Sequence, residues 1–319
     1  MANFTIIRLD QNASGLMQLP FHTLDVFTDR PFSGNPLAVV LDADPLTTEQ
    51  MRSIAREFNL SETVFVQKPA NPAHTAKVRI FTPGAELPFA GHPTAGAAAL
   101  LAELRAPGSN DHDAIVVLEE KIGIVRVGVR LRRGQATFAE FDTPKLPEET
   151  GTMPPDEQLA AALNLLPREI GFANHRPTRF AAGNGFGFVP VASLKAMARA
   201  SVNSQHWAAA FSSQGLTGAF LYCRDTVHTT SSFHARMFAP EVGVPEDPAT
   251  GSAAVIFAGV IQKFDDLPDG HHKRVLEQGF EMGRPSIISL SLEISHGQLH
   301  NVRIGGSAVR VSDGRITIP

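Results

Sequence analysis

The chain has 319 residues, of which 43% are hydrophobic, and it carries a formal net charge of −4 and a single cysteine, Cys223. We expect no basic nucleic-acid surface, no membrane-spanning apolar run and no secretory leader, and a single cysteine excludes an internal disulfide framework and a multi-cysteine zinc site. We therefore expect a cytoplasmic globular protein with one large core or two ordinary ones and with no nucleic-acid or membrane partner.

Short apolar runs with alternating or β-branched residues dominate the chain and predict strands. In chain order, these strands include residues 23–28, 37–41, 63–67, 77–82, 115–119, 123–131, 137–141, 219–223, 234–239, 287–294, 302–306, 308–312 and 315–318. Helices are predicted over 47–59, 93–105, 157–165, 191–200 and 248–263, the first with a capping box between Thr47 and Gln50. Isolated helices among many strands predict an α+β fold.

Three landmarks occur twice in the same order, which indicates an internal duplication. A Gly-Asn pair stands at residues 34–35 and 183–184, an Arg-x-Phe-x-Pro run at 79–83 and 236–240, and the similar phrases GHPTAGAA and DPATGSAA at 91–98 and 247–254. The copies of the three landmarks are 149, 157 and, from His92 to Asp247, 155 residues apart. Because each unit is far longer than a solenoid repeat, we expect two homologous lobes related by a pseudo-twofold axis.

Each phrase reads as the start of a tightly packed, Ala-rich helix. Pro93 and Pro248 fit a first helical turn, and the free N–H groups of such a start suit an anion. When the two phrases are aligned, His92 and Asp247 occupy the same position. If a twofold axis makes the two helix starts face each other, both side chains lie in a cleft between the lobes. The alternative is that both phrases are simple helix caps, with His92 and Asp247 on the surface.

Glu62 breaks the symmetry of the two halves. Counting back from the Arg-x-Phe-x-Pro runs without gaps, its counterpart is Ala219, so one lobe alone carries a carboxylate there. Apolar neighbours such as Val64 and Phe65 would raise the pKa of Glu62 toward the range that general acid/base catalysis needs. The alternative is a solvent-facing Glu at a strand start.

The sequence resembles the PhzF family of phenazine-biosynthesis isomerases over residues 21 to about 312. The segments that carry the resemblance are FHTLDVFTDRPFSGNPLAVVL, NLSETVFV, RIFTPGAELPFAGHPTAGAA, PEDPATGSAA, EQGFEMGRPS and VRIGGSAVRV. The resemblance implies a fold like that of diaminopimelate epimerase, in which two lobes each curl a β-sheet around a central helix. The predicted lobes cover residues 18–140, with the C-terminal strand 306–319 returning to the first lobe, and residues 141–305. Residues 1–17 are expected to be peripheral.

By this resemblance, Glu62 is the residue that takes a proton from one carbon of a small carboxylate substrate and returns it to another. His92 and Asp247 assist it, and Ser61, Gly91, Gly251 and Ser252 hold the substrate. The implied function is a cofactor- and metal-independent isomerase acting on a cyclic or amino/hydroxy carboxylic acid, and family analogy implies a homodimer. An epimerase or lyase using the same groups, and a noncatalytic binding relative, remain as alternatives.

Other motifs carry weaker signals. One cysteine does not supply the thiol pair of two-cysteine racemases, and Cys223 reads as a buried small hydrophobe. GNGFGF at residues 183–188 lacks the context of a nucleotide loop and reads as a turn. His271 and His272 are expected in a solvated loop. Arg284 is expected either to bind a substrate carboxylate or to have a structural role.

Overall fold

The computed structural model describes residues 16–106 and 111–318, so most of the segment expected to be peripheral lies outside the described residues. The strands are β1 (Gln18–Val26), β2 (Asn35–Val40), β3 (Glu62–Gln67), β4 (Ala76–Phe81), β5 (Glu86–Leu87), β6 (His112–Glu120), β7 (Gly123–Leu131), β8 (Thr137–Asp142), β9 (Glu148–Glu149), β10 (Thr178–Ala182), β11 (Asn184–Pro190), β12 (Gly218–Cys223), β13 (Phe233–Ala239), β14 (Val244–Asp247), β15 (Gly270–Gln278), β16 (Ser286–Ser295) and β17 (Gln298–Thr317). The helices are α1 (Thr48–Phe58), α2 (Gly91–Arg105), α3 (Asp156–Leu163), α4 (Leu194–Arg199), α5 (Ser204–Ala210) and α6 (Gly251–Phe264).

The first lobe is a closed barrel of eight strands. Its pairing runs β1, β2, β3, β4, β6, β7, β8 and β17, and β17 then pairs with β1 to close the ring. The β2–β3 and β4–β6 neighbours are parallel and the remaining pairs are antiparallel. Closure leaves this ring without a free edge strand.

The second lobe repeats the order with β10, β11, β12, β13, β15, β16 and the first half of β17. Here β11–β12 and β13–β15 are the parallel pairs. Two chain segments belong to both lobes. β8 pairs in the first lobe and leads into β9, which pairs with β10, while β17 leaves β16 and continues along β1. The structure therefore shows two similar lobes, and the residue boundaries given above stay a prediction.

The long strand β17 was expected as three shorter ones. The predicted strands ended at Gly306 and broke again at Asp313 and Gly314, yet Gly305, Gly306 and Gly314 all lie inside one strand. A Cβ on Gly306 would stand 2.4 Å from the ring of Phe27, and one on Gly314 would stand 2.9 Å from the ring of Phe21. These glycines allow close packing of aromatic rings on the strand, and they do not turn the chain.

Helices α2 and α6 are the central helices of the two lobes. Both are buried along nearly their whole length in one continuous hydrophobic core with the inner faces of the strands. Gly96 allows α2 to approach the barrel wall, because a Cβ there would stand 2.7 Å from the side chains of Val26 and Leu37. This agrees with the prediction that the first phrase starts a tightly packed helix.

The remaining helices pack outside the barrels. α1 covers a second cluster with Val40, Phe65 and Phe81, and the capping box between Thr47 and Gln50 is formed as predicted. Helices α3, α4 and α5 cover the second lobe. The sequence did not predict α5, a helix of seven residues capped by Asn203. Among the described residues, no helix is long and apolar enough to cross a membrane.

The expectation of a loop at His271 and His272 was wrong. Both residues lie in β15, which pairs with β16 along its whole length. The run DLPDGHH carries turn residues at its start, and the strand begins directly after them, at Gly270. No group of three or more His, Cys, Asp or Glu residues within the described ranges has the arrangement of a metal site.

Candidate active site

Glu62 lies at the first position of β3, next to Leu37 of the parallel strand β2. Its side chain is 16% exposed, and its Oε2 lies 3.4 Å from Nε2 of His92. Burial raises the pKa of Glu62 to about 8, with a smaller contribution from the nearby charge of Asp247. A carboxyl with this pKa populates both its acid and its base form near neutral pH.

His92 is the second residue of α2, and its side chain is buried. Burial lowers its pKa to about 3, so the imidazole is neutral near pH 7. The two facing atoms, Glu62 Oε2 and His92 Nε2, are not aligned as a hydrogen bond, and each is buried without a hydrogen-bond partner in the described part of the chain. Two unsatisfied polar atoms side by side are typical of a place where a ligand supplies the missing bonds.

Asp247 ends β14, and three side chains fix its position. Asn35 Nδ2 donates to its Oδ1 at 2.9 Å, the hydroxyl of Thr250 donates to its Oδ2, and Gln278 Nε2 donates to its backbone oxygen at 2.8 Å. Burial raises the pKa of Asp247, and the bonds from Thr250 and Asn35 oppose this rise. These hydrogen bonds hold the carboxyl in place, and its charge contributes to the raised pKa of Glu62.

Asn35, Thr250 and Gln278 are site residues that the sequence reasoning missed. Asn35 was noticed as part of a Gly-Asn turn, but its side chain bridges the lobes by donating to Asp247 and to Ala249 O. The one available signal was the repetition of the Gly-Asn pair. Gln278 also accepts a hydrogen bond from Thr250 N. The two residues are 28 positions apart in the sequence, so no local sequence pattern predicts this contact.

The two central helices begin face to face, as the paired phrases predicted. A Cβ on Gly91 would lie 3.2 Å from Gly251 Cα and 3.6 Å from Ser252 N, and one on Gly251 would lie 3.2 Å from Gly91 Cα. Only glycines allow this approach without displacement. The first N–H groups of α2 and α6 are thus brought together at one place, where His92 is the second residue of α2. Ser61 directly precedes Glu62 in the chain.

The structure corrects the alignment of the two phrases. Arg79 holds Glu86 through two hydrogen bonds, and Arg236 holds Glu246 in the same way. Strand pairing then places Leu87 opposite Ile80 and Asp247 opposite Met237, at equivalent positions. Asp247 therefore corresponds to Leu87, and His92 corresponds to Ser252.

The same correspondence changes two smaller expectations. Pro248 precedes α6 by three residues and matches Pro88, whereas Pro93 lies inside the first turn of α2. The counterpart of Glu62 is Gly218, because Phe65 pairs with Arg79 where Leu221 pairs with Arg236. A Cβ at Gly218 would stand 2.4 Å from Phe238 O, so the second lobe has no room for a side chain there.

The contacts of Cys223 and Arg284 indicate structural roles for both residues. Cys223 is 1% exposed, burial raises the pKa of its thiol to about 12, and Sγ donates to Asp225 O. Arg284 donates to Asp25 and to the backbone oxygens of Ser33 and Gly34. It thereby fixes the turn that leads into Asn35, so it acts on the site through the backbone.

Comparisons with known proteins identify the family. The model of the phenazine biosynthesis-like (PhzC-PhzF) family matches residues 24–314. A Mesorhizobium japonicum protein described as an uncharacterized isomerase is 50% identical over 92% of this chain and 97% of its own length. The trans-2,3-dihydro-3-hydroxyanthranilate isomerase of Pseudomonas chlororaphis is 34% identical over 92% of this chain and 98% of its own length.

A solved PhzF-family protein from Bacillus anthracis has the same fold, with a TM-score of 0.85 at 25% identity, covering 95% of this chain and 100% of that one. The chain belongs to the PhzC-PhzF family. It is an isomerase of the PhzF type, and the predicted resemblance and two-lobed fold are confirmed.

Proposed function

We propose that the protein moves a proton within a small cyclic or amino/hydroxy carboxylic acid, with Glu62 as the general acid/base and without a cofactor or metal. The observation that carries the proposal is the pair of unsatisfied atoms, Glu62 Oε2 and His92 Nε2, 3.4 Å apart in a largely buried setting. Because the pKa of Glu62 is raised to about 8, the carboxyl accepts a proton and returns it at little cost near neutral pH.

The facing helix starts supply the substrate site in this proposal. The N–H groups near Gly91, Gly251 and Ser252 point to an anion position, which suits the carboxylate of the substrate. Neutral His92 offers one donor and one acceptor for an amino or hydroxyl group, and Asp247 holds the substrate at the other side. The substrate carboxylate would then be fixed while Glu62 reaches two carbons in turn.

The substrate class agrees with the comparisons. The name of the Pseudomonas chlororaphis relative specifies a ring acid with amino and hydroxyl groups, and this chain shares 34% identity with it. A homodimer and a cytoplasmic location remain predictions from family analogy and composition. Thiol chemistry is not part of the proposal, since Cys223 lies buried on β12 and burial raises the pKa of its thiol to about 12.

The test is turnover of trans-2,3-dihydro-3-hydroxyanthranilate in D₂O, followed by NMR. Glu62→Gln keeps the shape and hydrogen bonding but removes the base, so turnover should fall by roughly 10²–10⁴ while substrate binding survives. Asp247→Asn should lower turnover less, and Cys223→Ser and added EDTA should leave it unchanged. Full turnover by Glu62→Gln would refute the role of Glu62, and inactivity of the wild type with every amino or hydroxy carboxylate screened would refute the substrate class.

A further inference from the structure

A cavity of about 460 Å³ opens in the first lobe, beyond the point where β4 and β6 stop pairing at Lys77 and Glu119. Lys77, Arg79, Glu119, Glu120 and Lys121 are among its lining residues. The volume lies within the range of small-molecule sites. Its lining does not include Glu62, His92 or Asp247, so the cavity is separate from the candidate active site.

The cations at the cavity are only partly neutralised. Arg79 is held by Glu86 at 2.8 and 2.9 Å, and the carboxylate of Glu119 accepts from the N–H groups of Ala70 and Asn71 and contacts His74. Lys121 reaches Glu86 only at 3.8 Å. Lys77 is exposed and has no ion pair with any residue that the structure describes. Lys77, and in part Lys121, are therefore the lining cations with capacity left to bind an anion.

One of the residues that line the cavity is an acid with an unsatisfied oxygen. Glu120 is 8% exposed, and its Oε1 accepts from the hydroxyl of Thr94 at 2.7 Å. Its Oε2 is buried and has no hydrogen-bond partner among the residues described. Burial raises the pKa of Glu120 to about 7. A carboxyl in this state lacks a partner that a ligand with a hydroxyl or amino group would provide.

The second lobe shows what occupies the equivalent place. Glu277 accepts from the N–H groups of Val227 and His228, as Glu119 does from Ala70 and Asn71. In the strand register, His234 lies opposite Glu277, as Lys77 lies opposite Glu119. There the connection after the strand spans residues 279–285, whereas in the first lobe it is only residues 121–122.

The longer connection fills the equivalent space with a carboxylate. Glu281 Oε1 lies 2.9 Å from His234 Nε2, and its Oε2 lies 4.0 Å from Nε of Arg236. His234 and Arg236 are the counterparts of Lys77 and Arg79. The first lobe keeps the cations and lacks the carboxylate, and this gap is the cavity.

We infer that the cavity is a second small-molecule site, which binds a monocarboxylate bearing a hydroxyl or amino donor, with its carboxylate at Lys77 and Lys121 and its donor at Glu120 Oε2. The carboxylate takes the place that Glu281 occupies in the other lobe, and the donor supplies the bond that Glu120 lacks. Binding here does not depend on the reaction at Glu62.

The test compares two probes by ligand-observed ¹⁹F NMR, 3-fluoro-4-hydroxybenzoate and 3-fluorobenzoate, which differ only in the donor. The wild type should bind the hydroxylated probe more tightly. Lys77→Met should weaken both probes roughly tenfold, as loss of a charged hydrogen bond does. The matched control Lys273→Met removes an exposed lysine of β15 and should change nothing. Glu120→Met should weaken the hydroxylated probe alone, and so make the two affinities equal.

Other outcomes would overturn the inference. The cavity is not the site if Lys77→Met binds both probes as tightly as the wild type does. The same holds if Lys273→Met weakens the binding of the probes as much as Lys77→Met does. If Glu62→Gln abolishes binding and Lys77→Met does not, the probe occupies the active-site cleft. Absence of binding to the wild type at millimolar probe concentrations also refutes the inference. The role of Glu62 is tested separately, by turnover.

Discussion

Replacing Glu62 by Gln should change how the stability of the protein depends on pH. The pKa of this carboxyl is raised from 4.5 to about 8 in the folded chain, mainly by burial. The folded state therefore binds the proton more tightly than the unfolded state does. This contribution to stability is fully present below pH 4.5 and is lost as the pH rises through 8. The Gln variant has no proton to lose at this position.

The two pKa values set the size of the effect. Linkage over the interval from pH 5 to pH 8 gives a loss of about 3–4 kcal/mol from Glu62 in the wild type. The side chain is 16% exposed, so solvent screening reduces this figure only modestly. Asp247 and Glu120 also have raised pKa values, but they are present in both proteins and largely cancel in the comparison.

The assay is urea unfolding of the wild type and Glu62→Gln at intervals between pH 5 and pH 8. The free energy of unfolding of the variant, relative to the wild type, should rise by about 3–4 kcal/mol over this range. Curves that stay parallel within about 0.5 kcal/mol, the tolerance within which independent changes in stability add, would show that Glu62 is not protonated more readily in the folded protein. Glu62 would then not be poised as a general acid/base near neutral pH.

Two substitutions test how the site is held together. Gly251→Ala would place a Cβ 3.2 Å from Gly91 Cα, so urea unfolding should show a loss of about 1–3 kcal/mol and turnover should fall, whereas Gly185→Ala, with its nearest contact at 3.8 Å, should have little effect on turnover. Equal behaviour of the two glycine variants would argue against the close helix contact. Asn35→Ala removes donors to Asp247 and Ala249, so turnover should fall about tenfold, and the exposed Asn184→Ala serves as the control. Unchanged turnover in Asn35→Ala would show that Asp247 needs no such support.

Local signals predicted the parts of the fold that local physics determines. The Thr47–Gln50 capping box and the apolar stretch of the first helix are complete within thirteen residues, and α1 forms as expected. The prediction divided β17 after Gly306 and at Gly314, because the role of these two glycines depends on aromatic rings that are remote in sequence. A glycine that avoids a clash and a glycine that makes a turn look the same in one sequence.

The sequence indicated Glu62, His92 and Asp247 as candidate site residues, but it did not indicate Asn35, Thr250 or Gln278, and it gave the wrong correspondence between the two phrases. The two phrases were aligned on His-Pro and Asp-Pro, and their alanine-rich composition tolerated the error. The matching ion pairs Arg79–Glu86 and Arg236–Glu246 give the correct alignment, but they become visible only when the hairpins are built. The sequence therefore raised the question of why His92 faces Asp247 in the repeat, and the structure shows that the two are not counterparts.

The corrected correspondence also bears on the chemistry, because the scaffold is symmetric and its reactive groups are not. Gly91 and Gly251 meet as equivalent residues, but Glu62 corresponds to Gly218, where a Cβ would stand 2.4 Å from a backbone oxygen. A racemase that inverts a carbon needs an acid and a base on opposite faces, and the second lobe offers no group at the position equivalent to Glu62.

We therefore expect Glu62 to deliver the proton to the same face of the substrate from which it was taken. In D₂O, deuterium should enter the product on that face, and some product should retain the original proton because one carboxyl carries it between the two carbons. NMR coupling constants of the labelled product assign the face. Delivery to the opposite face would require a second acid, and Asp247, held by Asn35 and Thr250 beside Glu62, would then have to be assigned that role.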